Sequence, residues 1–302
     1  MTEGPVHRML RSSPALQADA LDHAGTWVLS RGGVLNVYGP ITAADARRIG
    51  AHRNVDLLQL VTDYTKASAP GQLRLFDEHV VVRHPRLALR ITLNGCGAFD
   101  DLAFLEHLPH LRGLRVDGNH ALDLSPIRRF VALDTLGVGG LGTSLRPLEG
   151  YPSLKDLFVH ERIKDVETIG TLRNLRALTI GGRSPGELGF LVPLLKLRSI
   201  GFQMVAPKRF ADLCALPALT ELRVWRTRML DARALTPINR IARLDKLVLE
   251  ELPRITSLGW LRSETLRTLV LDQMTGLRSV KALAGLPALR RLVVDGKTVI
   301  RR

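Results

Sequence analysis

Three histidines and an aspartate, His107, His110, Asp117 and His120, crowd into one short stretch and come closest in this chain to a metal-ligand set. Imidazole nitrogens and a carboxylate suit a divalent transition metal when they converge on one point. The pattern around them argues against convergence. His107 and His110 fall on a turn and its exit, whereas Asp117 and His120 follow a strand, so the two pairs are expected on different sides of the coil. Surface histidines without a shared role are the alternative, and neither a metal nor a cofactor is expected. No phosphate-binding P-loop, no G-x-G-x-x-G in strand-to-helix context, no G-x-S-x-G elbow and no H-E-x-x-H occurs. The chain therefore reads as a non-enzyme. Its two cysteines, Cys96 and Cys214, cannot make a disulfide framework.

A different chemistry is suggested by the run R-V-W-R-T-R, in which Arg223, Arg226 and Arg228 interleave with Trp225. Guanidinium groups beside a stackable ring are what single-stranded nucleic acids bind. The whole chain has 43 Lys+Arg against 29 Asp+Glu, a net of +14, which attracts polyanions without naming one. The excess is uneven: residues 1 to 85 are nearly neutral, and the remainder carries almost all of it. Residues 173 to 246 hold 14 basic and 5 acidic residues. Hydrophobic residues make up 45% of the chain, enough for a large core, and no stretch approaches the ~20 apolar residues of a membrane span. A soluble, cytoplasmic protein with no membrane partner is expected; the oligomeric state is left open.

The elements that must position these residues follow from an internal repeat. Fragments such as LPHLRGLRVDGN, LRNLRALTIGG, LPALTELRVWR and LPALRRLVVDG share L-x-x-L-x-L. The last two apolar positions form ten pairs, from Ile91/Leu93 and Leu114/Val116 to Leu269/Leu271 and Leu292/Val294, at spacings between 21 and 25 residues. Each L-x-L pair alternates at period two, so both side chains point to one side of a short strand. The other half of each unit is apolar at every third position, as in Leu124, Ile127, Phe130 and Leu133. That period suits a 3₁₀ turn or short helix folding back on the strand. One unit cannot bury its own apolar face, so successive units stack.

With this unit the chain resembles the leucine-rich repeat family, most closely its internalin-like and phosphatase-regulator (SDS22-like) branch, over about residues 86 to 300. The resemblance implies an α/β leucine-rich-repeat solenoid: a curved parallel sheet on the concave face, with short helices or 3₁₀ turns on the convex face. It also implies a binding scaffold, or a regulatory or targeting subunit of an enzyme such as a phosphatase. The family's Asn or Cys at the ninth repeat position is kept here only as Cys96 and Asn119, while Leu141, Val205, Thr227 and others replace it. Backbone or water contacts must therefore tie adjacent turns. Residues 1–85 read as an N-terminal cap with degenerate repeats: Leu35 and Val37, a helix at Ala43 to Ala51, then Leu58 and Leu60, with a loop or extra hairpin around Thr65 to Gly71. Residues 86–302 hold about ten repeats.

On the concave sheet, the fifth repeat position runs from Thr92 and Arg115 through Phe158 and Arg223 to Val248, Val270 and Val293. The seventh runs from Asn94 and Asp117 to Trp225, Glu250, Asp272 and Asp295. Three adjacent valines are expected to form an exposed strip bordered by an acidic row and by Trp225, suited to a protein partner with a basic group. The candidate contact residues are therefore Phe158, Arg223, Trp225, Arg226, Val248, Glu250, Val270, Asp272, Val293 and Asp295. A basic scaffold that binds nucleic acid through Arg223 to Arg228 is the alternative.

Overall fold

The computed structural model describes residues 20–23, 27–30, 33–60, 68–93, 101–182 and 185–301. These fall into two compact units, one reaching Phe158 and including Arg162–Asp165, the other comprising Val159–Glu161 and Val166 onward. In each unit, strands that follow one another in sequence are neighbours in the sheet.

The first unit opens with antiparallel strands β1 (Ala20–His23), β2 (Trp27–Ser30) and β3 (Val34–Val37). From β3 the pairing turns parallel through β4 (Leu57–Leu60), β5 (Ala88–Leu93), β6 (Gly113–Gly118) and β7 (Thr135–Gly140). Leu35, Leu58, Leu89, Leu114 and Leu136 pair in one continuous row, and all five are fully buried. Each such side chain contributes about 1.5–3 kcal/mol by leaving water. The row corrects one reading of the repeat. In β5 the inward pair is Leu89/Ile91, not Ile91/Leu93. Leu89, Ile91 and Leu93 all face inward, so two registers satisfy the alternation equally and the sequence cannot choose between them. Arg90 and Thr92, rather than Thr92 and Asn94, therefore lie level with Arg115 and Asp117.

In the second unit, β9 (Ala177–Gly181), β10 (Ser199–Gln203), β11 (Glu221–Trp225), β12 (Lys246–Glu250), β13 (Thr268–Asp272) and β14 (Arg291–Val294) are parallel and in register. Strand β8 (Asp156–His160) lies where the chain passes from one unit to the other. The every-third-residue ladder becomes 3₁₀ turns such as Ser125–Arg129, Val166–Thr171 and Phe210–Ala215. Its apolar residues are also the hydrogen-bonded corners: Ile127 N–H donates to Leu124 O, Phe130 to Ile127 and Leu133 to Phe130, at 2.9–3.1 Å. One spacing thus supplies both the buried face and the backbone bonding, which is the leucine-rich-repeat fold.

The N-terminal helix α1 (Ala43–Ala51) matches its expected span and starts at a capping box, with Thr42 Oγ1 accepting from the Asp45 N–H at 3.1 Å. The expected loop or hairpin around Thr65 to Gly71 lies partly outside the described residues, and from Ala69 onward it is instead α2 (Ala69–Phe76), which runs into a π-turn at Asp77–Val81. Pro70 sits in the first helical turn, where its missing N–H costs nothing. Asp77 is buried and accepts from both the His110 backbone N–H and its ring, at 3.2 and 2.7 Å, tying the turn to the next repeat.

At the other end, β14 turns back antiparallel into β15 (Lys297–Arg301). The turn is Asp295-Gly296, with φ of 46° and 76°, the residue pair a two-residue hairpin of this handedness requires.

Candidate functional site

On the open face of the second unit, Gly201 of β10 leaves bare backbone, and Trp225 of β11 lies over it. A Cβ added at Gly201 would stand 2.8 Å from Trp225 Cζ3, so glycine is what lets the ring lie down. The Arg223 guanidinium stacks over the ring, 4.7 Å from its centroid, and its Nη2 donates to Glu250 Oε2 at 2.5 Å. Stacking and a half-buried ion pair reinforce each other, since each fixes the same planar group. Trp225 is left only 4% exposed. It is a buried strut rather than the exposed aromatic expected.

The valine strip is corrected in the same way. Val248 lies level with Arg223, whose side chain reaches to Glu250 on Val248's own strand, and Val248 is buried. Val293 is buried between β13 and β15. Val270 alone of the three stays half-buried. Beside it stand Glu250, Asp272 and Asp295. Burial first, then the Glu250 and Asp295 charges, raise the Asp272 carboxyl from its ordinary value. Asp295 is the first residue of the hairpin turn, and its Oδ1 accepts from the Gln273 N–H at 2.8 Å. Arg226 does not join Arg223. It leaves the sheet at φ 57° and pairs with Glu251 at 2.9 Å on the rim.

In the first unit a similar device buries Phe158. Arg115 crosses Gly137 and stacks 4.9 Å from the Phe158 ring, which is 1% exposed, so this residue is no surface contact. Asp117 receives Arg115 at 2.9 Å and Arg90 at 3.6 Å. Burial, then the neighbouring Arg115 charge, lower Arg90 below its usual value. Gly137 and Gly139 of β7 are thus covered by Arg115 and Asp117. The turn beyond them leads to a 3₁₀ turn at Arg146–Leu148.

The histidine set is dispersed. His110 serves Asp77, His120 Nδ1 meets Asn119 Oδ1 at 2.8 Å, and His107 lies 3.4 Å from Glu106. Among the described residues no three His, Cys, Asp or Glu side chains could hold a metal ion. Cys96 lies outside the described residues; Cys214 is a free thiol whose Sγ is 3.5 Å from Pro237 O.

The ties between turns that the sequence left unassigned are made by the main chain. The N–H of the eighth repeat position donates to the carbonyl of the seventh in the next repeat: Gly182 to Gln203, Met204 to Trp225, Arg226 to Glu250 and Glu251 to Asp272, at 2.9–3.2 Å. At Gln273 the Asp295 carboxylate takes the carbonyl's place. Met204, Arg226, Glu251 and Gln273 all have φ between 50° and 61°, the left-handed geometry that aims the N–H sideways. Side chains help at Thr227, whose Oγ1 donates to Val205 O at 3.1 Å, and at Thr143, whose Oγ1 accepts from the Leu122 N–H at 3.0 Å. Asn119, the expected ladder residue, is exposed and turned to His120.

Strands, turns and rim define a leucine-rich-repeat fold with one face of its sheet left open. Comparisons with protein-family models and with curated proteins find no match. Among solved structures the chain is similar to an internalin (inlF) from Listeria monocytogenes, at 19% identity, TM-score 0.42 and 89% of both chains covered. It is also similar to internalin C2 of the same organism, at 18% identity and TM-score 0.42, covering 76% of this chain and 90% of that one. The functional domain of InlJ, also from Listeria monocytogenes, follows at 13% identity and TM-score 0.40, covering 87% and 63% respectively. Among the described residues no helix is long and apolar enough to cross a membrane.

Proposed function

We propose that this protein is a non-enzymatic scaffold that binds another protein on the open sheet face of its second unit. The observation that carries the reading is the locked stack of Arg223, Trp225 and Glu250 beside the half-buried Val270 and Asp272. A surface whose large side chains are already immobilised loses little conformational freedom on binding. Asp272 and Asp295, with no basic partner among the described residues, offer negative charge to a basic group on the partner, and Val270 supplies the apolar contact.

The stack also weighs against nucleic acid at this place. The Trp225 face a base would need is taken by Arg223, and Arg223 and Arg226 are each paired with a glutamate. Affinity capture with the full chain at two salt concentrations, with and without nuclease, separates the readings. A protein captured by the wild type and lost with Val270→Glu and Asp272→Lys supports the scaffold. Capture unchanged by both substitutions rules out the open face, and nuclease-sensitive capture that falls steeply with salt favours a polyanion. A phosphatase among the captured proteins would make the scaffold a regulatory subunit.

A further inference from the structure

Where β9 and β10 begin, two successive turns of the second unit carry cations that the open-face reading does not use. Arg173 and Arg176 precede β9, Lys196 and Arg198 precede β10, and all four are exposed. The two turns are bonded to each other. The Arg198 N–H donates to Arg176 O at 2.8 Å, the Arg173 guanidinium to Pro193 O at 3.0 Å and Lys196 Nζ to Asn174 Oδ1 at 2.7 Å. Each acceptor is an uncharged oxygen, so the bonds gather the cations without neutralising them. None of the four has an anionic partner among the described residues. Glu167, on the preceding 3₁₀ turn, is exposed and pairs with none of them. Residues 168–211 contain one carboxylate, Glu187, which follows β9 whereas the cations precede the strands. In the next turn Ala218 and Thr220 are uncharged, and Glu221 is held by Lys246 at 2.8 Å.

Two aliphatic side chains stand among these cations. Val192 and Leu195 are 46% and 65% exposed, whereas Leu191, Leu194 and Leu197 carry the triplet period and are buried. The core therefore does not use the exposed pair. Leu195 adjoins Lys196, and the Pro193 carbonyl that holds Arg173 lies between Val192 and Leu195. Exposed aliphatics among uncompensated cations suit a surface that is anionic outside and apolar beneath, which is a bilayer with acidic headgroups. A single-stranded nucleic acid would use the cations and leave the aliphatics idle. Residues 172–176 and 192–198 also hold no aromatic ring on which its bases could stack.

We propose that this edge of the second unit lies on an anionic lipid surface, with Val192 and Leu195 in the headgroup layer and Arg173, Arg176, Lys196 and Arg198 against the lipid phosphates and carboxylates. The expectation of no membrane partner concerned spanning segments; this contact is peripheral and needs none. It does not depend on the open-face reading.

The test is co-sedimentation of the full chain with vesicles of phosphatidylcholine, alone or with one-third phosphatidylserine. Expected is partition onto the acidic vesicles only, falling as salt is raised. Arg176→Gln and Arg198→Gln should each weaken it about fivefold. Leu195→Ser should weaken it several-fold and leave retention on heparin unchanged. All three side chains are exposed, so the variants should keep the wild-type far-UV spectrum. No preference for the acidic vesicles, or undiminished partition of the double arginine variant, would overturn the proposal. Undiminished partition of Leu195→Ser would reduce the edge to a general polyanion surface and overturn it equally. Val270→Glu and Asp272→Lys should not weaken vesicle binding, so failure of the open-face reading and failure of this one are separable.

Discussion

At the scale of single residues, the molecule spends its aromatic and arginine side chains on one another. Trp225 and Phe158 were legible as the conspicuous aromatics of the sheet columns, but not as buried ones. Burial depends on Gly201 and Gly137, residues without side chains to read, and on arginines arriving from the same strand or from two strands away. The acidic row was legible directly, and it carries a pH dependence. The Asp272 carboxyl is raised above 3.8 in the folded protein, so the native state keeps this proton to higher pH than the unfolded chain does. Stability from this group therefore falls as pH rises through the raised value, and above it the ionised carboxylate is a constant penalty. Asp272→Asn should raise the urea midpoint at pH 7 and change it much less near pH 3, below the unperturbed carboxylate value. An equal change at both pH values would show that charge is not the cause.

At the scale of elements, the leucine period located the strands and the triplet period located the 3₁₀ turns, because both patterns are consequences of burial. What escaped was whatever burial does not govern. The register of β5 was ambiguous because all three of its alternate residues are apolar. Helix α2 was hidden in a segment rich in small and turn-forming residues; that backbone or water must tie the turns was expected, but not which, since every residue shares the main chain. Those ties make a prediction that side-chain reasoning would not. The amides of Met204, Arg226 and Glu251 lie at or beyond strand ends, in exposed or half-buried residues, yet each is hydrogen-bonded to the next repeat. They should exchange with deuterium at rates comparable to strand amides and far slower than the neighbouring loop amides, such as Arg228. Fast exchange at all three would show that the rim bonds are not maintained in solution.

At the scale of the whole molecule, a coil of parallel strands has an edge that invites continuation. Here the Asp-Gly turn folds β15 antiparallel onto β14, so β14 does not offer its edge to another chain. The Asp-Gly pair stood in the sequence within VVDGKTV, but Val294 and Asp295 also fit the repeat, and the repeat reading absorbed them. Gly296→Val places a β-branched residue at φ 76° and should release β15. The expected outcome is self-association that grows with concentration in sedimentation velocity; a monodisperse variant with an unaltered far-UV spectrum would contradict it. The main-chain rim has a consequence of another kind. Where a fold is held by groups common to all amino acids, the side chains above it are released from structural duty. Met204, Arg226, Glu251 and Gln273 each hold a left-handed conformation that favours glycine by about 1 kcal/mol, yet no two of them are alike. The rim is therefore the part of this molecule where recognition can be rewritten one repeat at a time, with the architecture left standing.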